Sequence, residues 1–489
     1  MKIAFCTLGC KLNFAESSAI GKALLREGYM RAKQGEEADV VVLNTCSVTD
    51  AADHKGRQAI HRLCRQHPQA VLIVTGCYAE LKGQEIAAMP EVDYVVGANE
   101  KERVVEIIRT LDEGLRIKDE RQNSTDSETS ETKVISPSSC VLHPSSSKDS
   151  FFPACSWDDR TRCFLKVQDG CNYFCTYCTI PLARGRSRNA SISDIVAQAE
   201  QALRDGAKEI VLTGVNIGDF GRSTGEQFID LLRALDRLEE TGTLPNPPYK
   251  GGSRENSSDS ETSETKVISP SSCVLHPSSQ ESPCSLLLAP CSTNYRIRIS
   301  SCEPNLLTDE VIDFVANSKH FAPHFHIPLQ SGSNEVLKIM HRHYDRELFA
   351  ERVAHIRERM PNAFIGVDCM VGVRGETEER WEDYLAFVKQ LDVSQLHVFT
   401  YSERANTRML EMDLYVVPKK ERERRSKILH TVSDEKLQAF YAKHQGEEAT
   451  VLWEGKKEDG MMAGFTENYI KVHAPYDKAK VNTFEVVRI

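Results

Sequence analysis

Along residues 1–112, short β-branched runs alternate with stretches whose apolar positions recur at helical spacing. Lys2–Cys6, Asp39–Leu43, Val71–Thr75 and Tyr94–Val96 read as strands, with helices near Ala15–Glu27 and Asp50–Gln66. That alternation predicts a parallel sheet with helices on its faces. A second alternation begins at Arg162. Cys163–Gln168, Glu209–Thr213, Tyr295–Ser300, His324–Pro328, Phe364–Asp368 and Leu396–Thr400 read as six strands with helices between them. Six β/α units predict an open parallel barrel with functional loops at the strand C-termini. Pro418–Lys427 carries six Lys/Arg and two Glu, and a helix to about His444 leads into Glu447–Ile489, whose short strands predict a small β-barrel.

Two stretches break the pattern. Asn123–Ser146 returns at Asn256–Ser279 with one difference, Thr125 against Ser258. Two distant polar copies cannot bury a shared face as solenoid repeats do, so both read as loop insertions. The second falls between the second and third barrel strands, where a loop tolerates added length. Each copy contributes −2 to the net charge of −10.

Composition narrows the function. At 489 residues, 40% hydrophobic and 27% charged, the chain is an ordinary globular sequence of several domains. No run of ~18 apolar residues and no export signal is visible, so the protein is expected to be cytoplasmic and without a membrane contact. A monomer is expected. The cytosol keeps thiols reduced, so sixteen cysteines point to metal or redox chemistry. The acidic balance argues against a general nucleic-acid coat and leaves RNA binding to local features.

Cys171, Cys175 and Cys178 form a C-x3-C-x2-C run directly after the first barrel strand. Three thiolates can hold three irons of a [4Fe-4S] cluster and leave the fourth open to a substrate such as S-adenosylmethionine. Structural zinc normally takes four ligands and pairs one C-x2-C with another. Cys10, Cys46 and Cys77 each follow a predicted strand of the first sheet, so their loops share one rim and can hold a second [4Fe-4S] cluster. Buried, inert thiols are the competing reading for these three. Cys6, Cys64, Cys140, Cys155, Cys163, Cys273, Cys284, Cys291, Cys302 and Cys369 fit no such pattern and are assigned packing or loop roles, with a site-facing role left open for Cys302 and Cys369.

The cysteine loop resembles that of the radical S-adenosylmethionine superfamily. The resemblance places Tyr177 against the cofactor adenine and the Gly214-Val215-Asn216 segment near its methionine amino group, with Glu303 as a further cofactor or substrate contact. Together TLGCKLN, NTCSVT, GCYAE, GCNYFCTYCTIPLARGRSR, SSCEP, HIPLQSGS and GFTENYIKV resemble the methylthiotransferase family across nearly the whole chain outside the two copies. The opening TLGCK, the Asn-Tyr-Phe spacer and HIPLQSGS are most similar to the branch acting on N6-threonylcarbamoyladenosine beside the tRNA anticodon. The chain departs from the family's usual Phe-Pro at Val373-Arg374 and from its usual Pro at Thr400.

The resemblance implies two S-adenosylmethionine molecules per turnover, one methylating sulfur at the Cys10/Cys46/Cys77 cluster and one cleaved at the other cluster, whose radical removes hydrogen from adenine C2. It also implies a flavodoxin-like first domain (1–117), a linker with the first copy (118–156), a radical barrel (157–425, insertion 243–293) and a TRAM-like RNA-binding barrel (426–489). Arg184 and Arg186, with Arg188, are candidate phosphate or carboxylate clamps. His326, Gln330 and Ser331 are candidate substrate contacts at the site rim, and Lys419, Lys420, Arg422, Arg424, Arg425 and Lys427 a candidate phosphate track. The implied partners are a tRNA anticodon stem-loop, an electron donor and a sulfur source. The competing readings are another methylthiotransferase branch, acting on isopentenyladenosine tRNA or a ribosomal-protein aspartate, and a non-catalytic iron–sulfur or RNA-binding protein.

Overall fold

The computed structural model describes residues 1–33, 35–123, 151–156, 161–238, 273–274 and 295–489. The insertion reading of the two copies, apart from Cys273–Val274 of the second, and Cys140, Cys284 and Cys291, lie outside the described residues.

Five parallel strands form the first sheet: β1 (Lys2–Thr7), β2 (Met30–Arg31), β3 (Val40–Thr45), β4 (Val71–Gly76) and β5 (Tyr94–Val96), in the order β2-β1-β3-β4-β5. This is the flavodoxin-like order, with its switch point between β1 and β3. All six residues of β3 are buried, as expected for a strand covered on both faces. Val41 and Leu43 pack on Ala59, Ile60 and Leu63 of the helix Asp50–Gln66. Val40 and Val42 pack on Ile20 and Leu24 of the helix Lys11–Arg26 and on Val104 and Ile108.

Next come β6 (Cys155–Ser156), β7 (Arg162–Lys166), β8 (Glu209–Thr213), β9 (Cys273–Val274), β10 (Arg296–Ile299), β11 (His324–Gln330), β12 (Phe364–Val371) and β13 (Gln395–Thr400). β7, β8 and β10 pair in parallel, as do β11, β12 and β13. Single parallel bridges, Ile297 to Phe321 and Ser301 to His326, join the two groups. The six expected strands are thus present, with a weak seam between β10 and β11. Strand alternation sends Cys163, Leu165, Ile210, Leu212, Ile297, Ile327 and Val367 into the core under the outer helices. Phe164 and Val211 lie on the other, concave face and pack against Ala15, so the helix Lys11–Arg26 of the first sheet sits inside the half-barrel.

The C-terminal segment forms β14 (Glu448–Glu458), β15 (Met461–Phe465), β16 (Lys471–Pro475) and β17 (Phe484–Arg488), antiparallel in the order β17-β14-β15-β16. The short β9 adds to β16 in parallel. Among the described residues this is an antiparallel half-barrel, where a small β-barrel is expected. Arg296 and Arg298 of β10 dock it by donating to the carbonyls of Phe465, Thr466 and Glu467.

Candidate functional site

The first cysteine trio follows from the sheet order. Cys10, Cys46 and Cys77 stand just beyond β1, β3 and β4, which are neighbours in the sheet, so their loops meet at one carboxyl edge around the switch point. Two glycines permit the approach. Gly9 has φ +117°, and a Cβ there would stand 2.7 Å from Cys46 Cβ; Gly76 has φ +100°, and a Cβ there would collide with the Thr45 carbonyl. Asn13 ties two of the loops by donating to the carbonyls of Leu8 and Thr45, both at 2.9 Å. Cys10 is exposed, Cys46 half-buried and Cys77 buried. Burial pushes the Cys46 thiol up to about 12, and the charges of Cys77 and Cys10 add to the rise. Burial also raises Cys77, opposed by Arg184 and Lys101.

The second trio is local. Cys171, Cys175 and Cys178 lie on the loop between β7 and the helix Ile180–Arg184. Gln168, just past the end of β7, holds that loop by donating to the Asp169 and Gly170 carbonyls, and its Oε1 accepts from the backbone of Val215 and Asn216. Burial raises all three thiols, Cys171 to about 11 and Cys178 to about 12. Thiols so raised keep their protons until a metal displaces them. Among the described residues no three His, Cys, Asp or Glu side chains close on a single ion position. A four-iron cluster spreads three thiolates over three irons, which fits two trios grouped around strand ends.

Residues 2–97 match the model described as Uncharacterized protein family UPF0004, and residues 165–250 and 284–388 match the Radical SAM superfamily. The chain is 34% identical to the threonylcarbamoyladenosine tRNA methylthiotransferase MtaB of Bacillus subtilis, over 96% of this chain and 89% of that protein. The chain belongs to the radical S-adenosylmethionine methylthiotransferase family. It is 32% identical to the MtaB of Aquifex aeolicus over 96% of each protein. It is 27% identical to the tRNA-2-methylthio-N(6)-dimethylallyladenosine synthase of Clostridium botulinum, over 99% of this chain and 93% of that one. In fold it is similar to the radical S-adenosylmethionine methyltransferase TsrM of Kitasatospora setae, with TM-score 0.50, 14% identity, 82% of this chain and 74% of that chain.

In this methylthiotransferase the arginines after the cysteine loop differ from the expected clamps. Arg184 is buried and faces the first domain, donating to Asn13 Oδ1 at 2.7 Å, Glu16 Oε1 at 3.0 Å and Asp169 Oδ1 at 3.0 Å. Glu16 also pairs with Lys101 and Lys166, and Asp169 with Lys166 and Arg188. Arg188 is buried as well and donates to Asn99 Oδ1 at 2.8 Å. Neither arginine reaches solvent to meet RNA, because buried carboxylates of the domain interface claim them. Arg186 stacks over Phe174, 6.0 Å from the ring centre.

Glu303 pairs with Arg342, which sequence reasoning missed. Arg342 also donates to Cys175 Sγ at 3.2 Å and to the Tyr177 hydroxyl at 3.4 Å. One guanidinium thus joins two predicted contacts to the cysteine loop, but Arg342 lies beyond β11 and no motif flags it. Tyr177 packs with Val336, Met340 and Met409. Gly214 lies against Gln168, and both side-chain polar atoms of Asn216 are buried without a hydrogen bond. His326 pairs with Asp368 at 2.7 Å, on the concave face. Gln330 has φ +63° and a buried Oε1 without a hydrogen bond, while Ser331 Oγ accepts from Ser333 N. Cys302 and Cys369 are buried in the barrel core. In the basic run, Arg424 and Arg425 pair with Glu421 and Glu378, and Arg422 pairs with Glu403, while Lys419, Lys420 and Lys427 are exposed.

Proposed function

We infer that the protein transfers a methylthio group to C2 of N6-threonylcarbamoyladenosine beside the anticodon of tRNA. The observation that carries the reading is 34% identity over 96% of the chain to an enzyme of that name, with further relatives of that name at 32% and 30%. The two thiol trios support it, since sulfur insertion at an unactivated carbon needs a radical source and a separate place for sulfur. Cys171, Cys175 and Cys178 would hold the cluster that binds S-adenosylmethionine, and Cys10, Cys46 and Cys77 a second cluster. When bound, these groups supply the radical and the sulfur.

The chain's own residues do the rest. Gln168 sets the Gly214–Asn216 segment against the cysteine loop, and Arg342 holds Glu303 and Tyr177 beside Cys175. Arg184 and Asn13 join the two loop systems, giving the proximity such a transfer needs. The domain division remains 1–117, 118–156, 157–425 and 426–489, with the helix Lys419–Lys443 as the connection into a TRAM-like, RNA-binding last unit. The protein acts as a cytoplasmic monomer, with a separate electron donor and sulfur source. No helix among the described residues is long and apolar enough to cross a membrane.

Mass spectrometry of tRNA nucleosides from a deletion strain tests the reading. The expected result is loss of the methylthio form with accumulation of threonylcarbamoyladenosine. Loss of the methylthio form of isopentenyladenosine instead, or an unchanged tRNA profile with an unmodified ribosomal protein, overturns it.

A further inference from the structure

Lys11 opens the helix that follows Cys10; it is accessible to solvent but closely surrounded by protein, and that burial lowers its ammonium from the ordinary lysine range. Its charge acts on Arg162 of β7, Glu209 of β8, Arg298 of β10 and Tyr469 of the C-terminal half-barrel, and also on His324 of β11 and His397 of β13. A charge within reach of five barrel strands at once lies over their concave face. Lys11 therefore extends from the Cys10 loop into the space the half-barrel encloses.

The charged groups around it are already matched. Arg162 pairs with Glu454 at 2.9 Å, Arg298 with Glu209 at 3.1 Å, and His326 with Asp368 at 2.7 Å. Glu209 is also engaged by Arg296. Lys11 forms no ion pair among the described residues, and Glu209, the carboxylate whose charge acts on it, serves two guanidinium groups. An unmatched ammonium among other cations, on a face sheltered by protein, is an anion-binding position.

The proposed substrate supplies the anion. A threonylcarbamoyl arm on N6 ends in a free carboxylate, whereas a dimethylallyl arm is hydrocarbon. C2 and C6 flank N1, so an arm folded along the N1 edge brings its carboxylate near the carbon that receives sulfur, and hence near the Cys10 loop. We propose that the Lys11 ammonium receives the carboxylate of the threonylcarbamoyl arm and so selects this base over one with a neutral arm. The assignment rests on the function proposed above.

The test uses the full-length reconstituted enzyme and three anticodon stem-loop RNAs, carrying threonylcarbamoyladenosine, its neutral methyl ester, or dimethylallyladenosine. Wild type should prefer the carboxylate RNA over the ester about 10- to 100-fold in kcat/KM, the range for one charge-assisted hydrogen bond. In Lys11→Met that ratio should fall to about one, and Lys11→Arg should restore much of it. The ratio is internal to each preparation, so partial cluster loss next to Cys10 does not distort it; iron content is measured alongside. A direct RNA-binding titration should show the same collapse in Kd ratio. A ratio unchanged in Lys11→Met, including one in which both rates fall together, overturns the assignment. A wild-type enzyme that acts on the dimethylallyl RNA and ignores the other two overturns the proposed function, and the Lys11 assignment with it.

Discussion

The two cysteine trios reach similar ends by opposite routes. Cys171, Cys175 and Cys178 sit on one loop, so a short peptide keeps them together whatever the rest of the chain does. Cys10, Cys46 and Cys77 meet only because β1, β3 and β4 are neighbours in one parallel sheet. The first set is a property of local sequence and the second a property of the folded domain. The second set also leans on the first. Arg184, six residues after Cys178, reaches Asn13 and Glu16, and Asn13 holds the loops of Cys10 and Cys46. A site assembled from distant strands thus borrows a brace from the segment carrying the local site.

The sharpest way to break this comparison is to remove each trio. Replacing Cys171, Cys175 and Cys178 with Ala should abolish reductive cleavage of S-adenosylmethionine. Replacing Cys10, Cys46 and Cys77 should leave cleavage and abolish methylthio product. Iron analysis should give about eight atoms per wild-type chain and about four in either triple variant, taking four per cluster. Retention of about eight in either would sink the assignment of that trio.

Next in size is Arg184→Met, which leaves Glu16 and Asp169 buried and short of a partner. Breaking a buried network in this way costs about 3–5 kcal/mol, to be read by chemical unfolding. Iron should be lost from the Cys10/Cys46/Cys77 set before the other. Arg342→Met is the matching change at the local site. It removes the donor to Cys175 and Tyr177 and the partner of Glu303, so binding of S-adenosylmethionine should weaken about tenfold, a loss of one charge-assisted contact, with a loss of stability from the stranded carboxylate. Equal weakening by Arg184→Met would erase the distinction between the two arginines.

The smallest effect is one of pH. Burial pushes the Glu16 carboxyl up, but Arg184, Lys101 and Lys166 outweigh it and hold it below the ordinary carboxylate range. A depressed folded-state value contributes stability that is full above the unfolded value and lost as pH falls toward the folded one. The stability advantage of wild type over Glu16→Gln should therefore shrink as pH drops below the ordinary carboxylate range. A difference independent of pH would mean that Glu16 acts through shape alone.

Most of the frame was legible in the sequence because strands buried on both faces, such as Val40–Thr45, are continuous apolar runs. The strand-end positions of Cys10, Cys46 and Cys77 followed from those runs. Two-residue strands such as β2 and β6 are shorter than any period that could reveal them. Closure of the last unit depends on which strands pair, which alternation does not encode. Arg184 reads as a phosphate or carboxylate clamp beside a cofactor loop, and the carboxylates it holds are the protein's own; that is not legible locally, because Glu16 and Asn13 lie 168 and 171 positions away. Arg342 carries no local signal at all; only the packing of Ile339 and Met340, whose carbonyls accept from Thr176, against the cysteine loop gives it meaning.

The docking of the C-terminal half-barrel on Arg296 and Arg298 has a consequence for traffic. The segment holding Thr466–Tyr469 plugs the lower end of the strands, with Tyr469 against His324 and Phe364 and Asn468 bonded to the Asn362 carbonyl. Among the described residues that end of the strands is covered. A base bound over the concave face would approach from the strand C-termini, everted from its stack, and the work of unstacking would become part of the enzyme's selectivity.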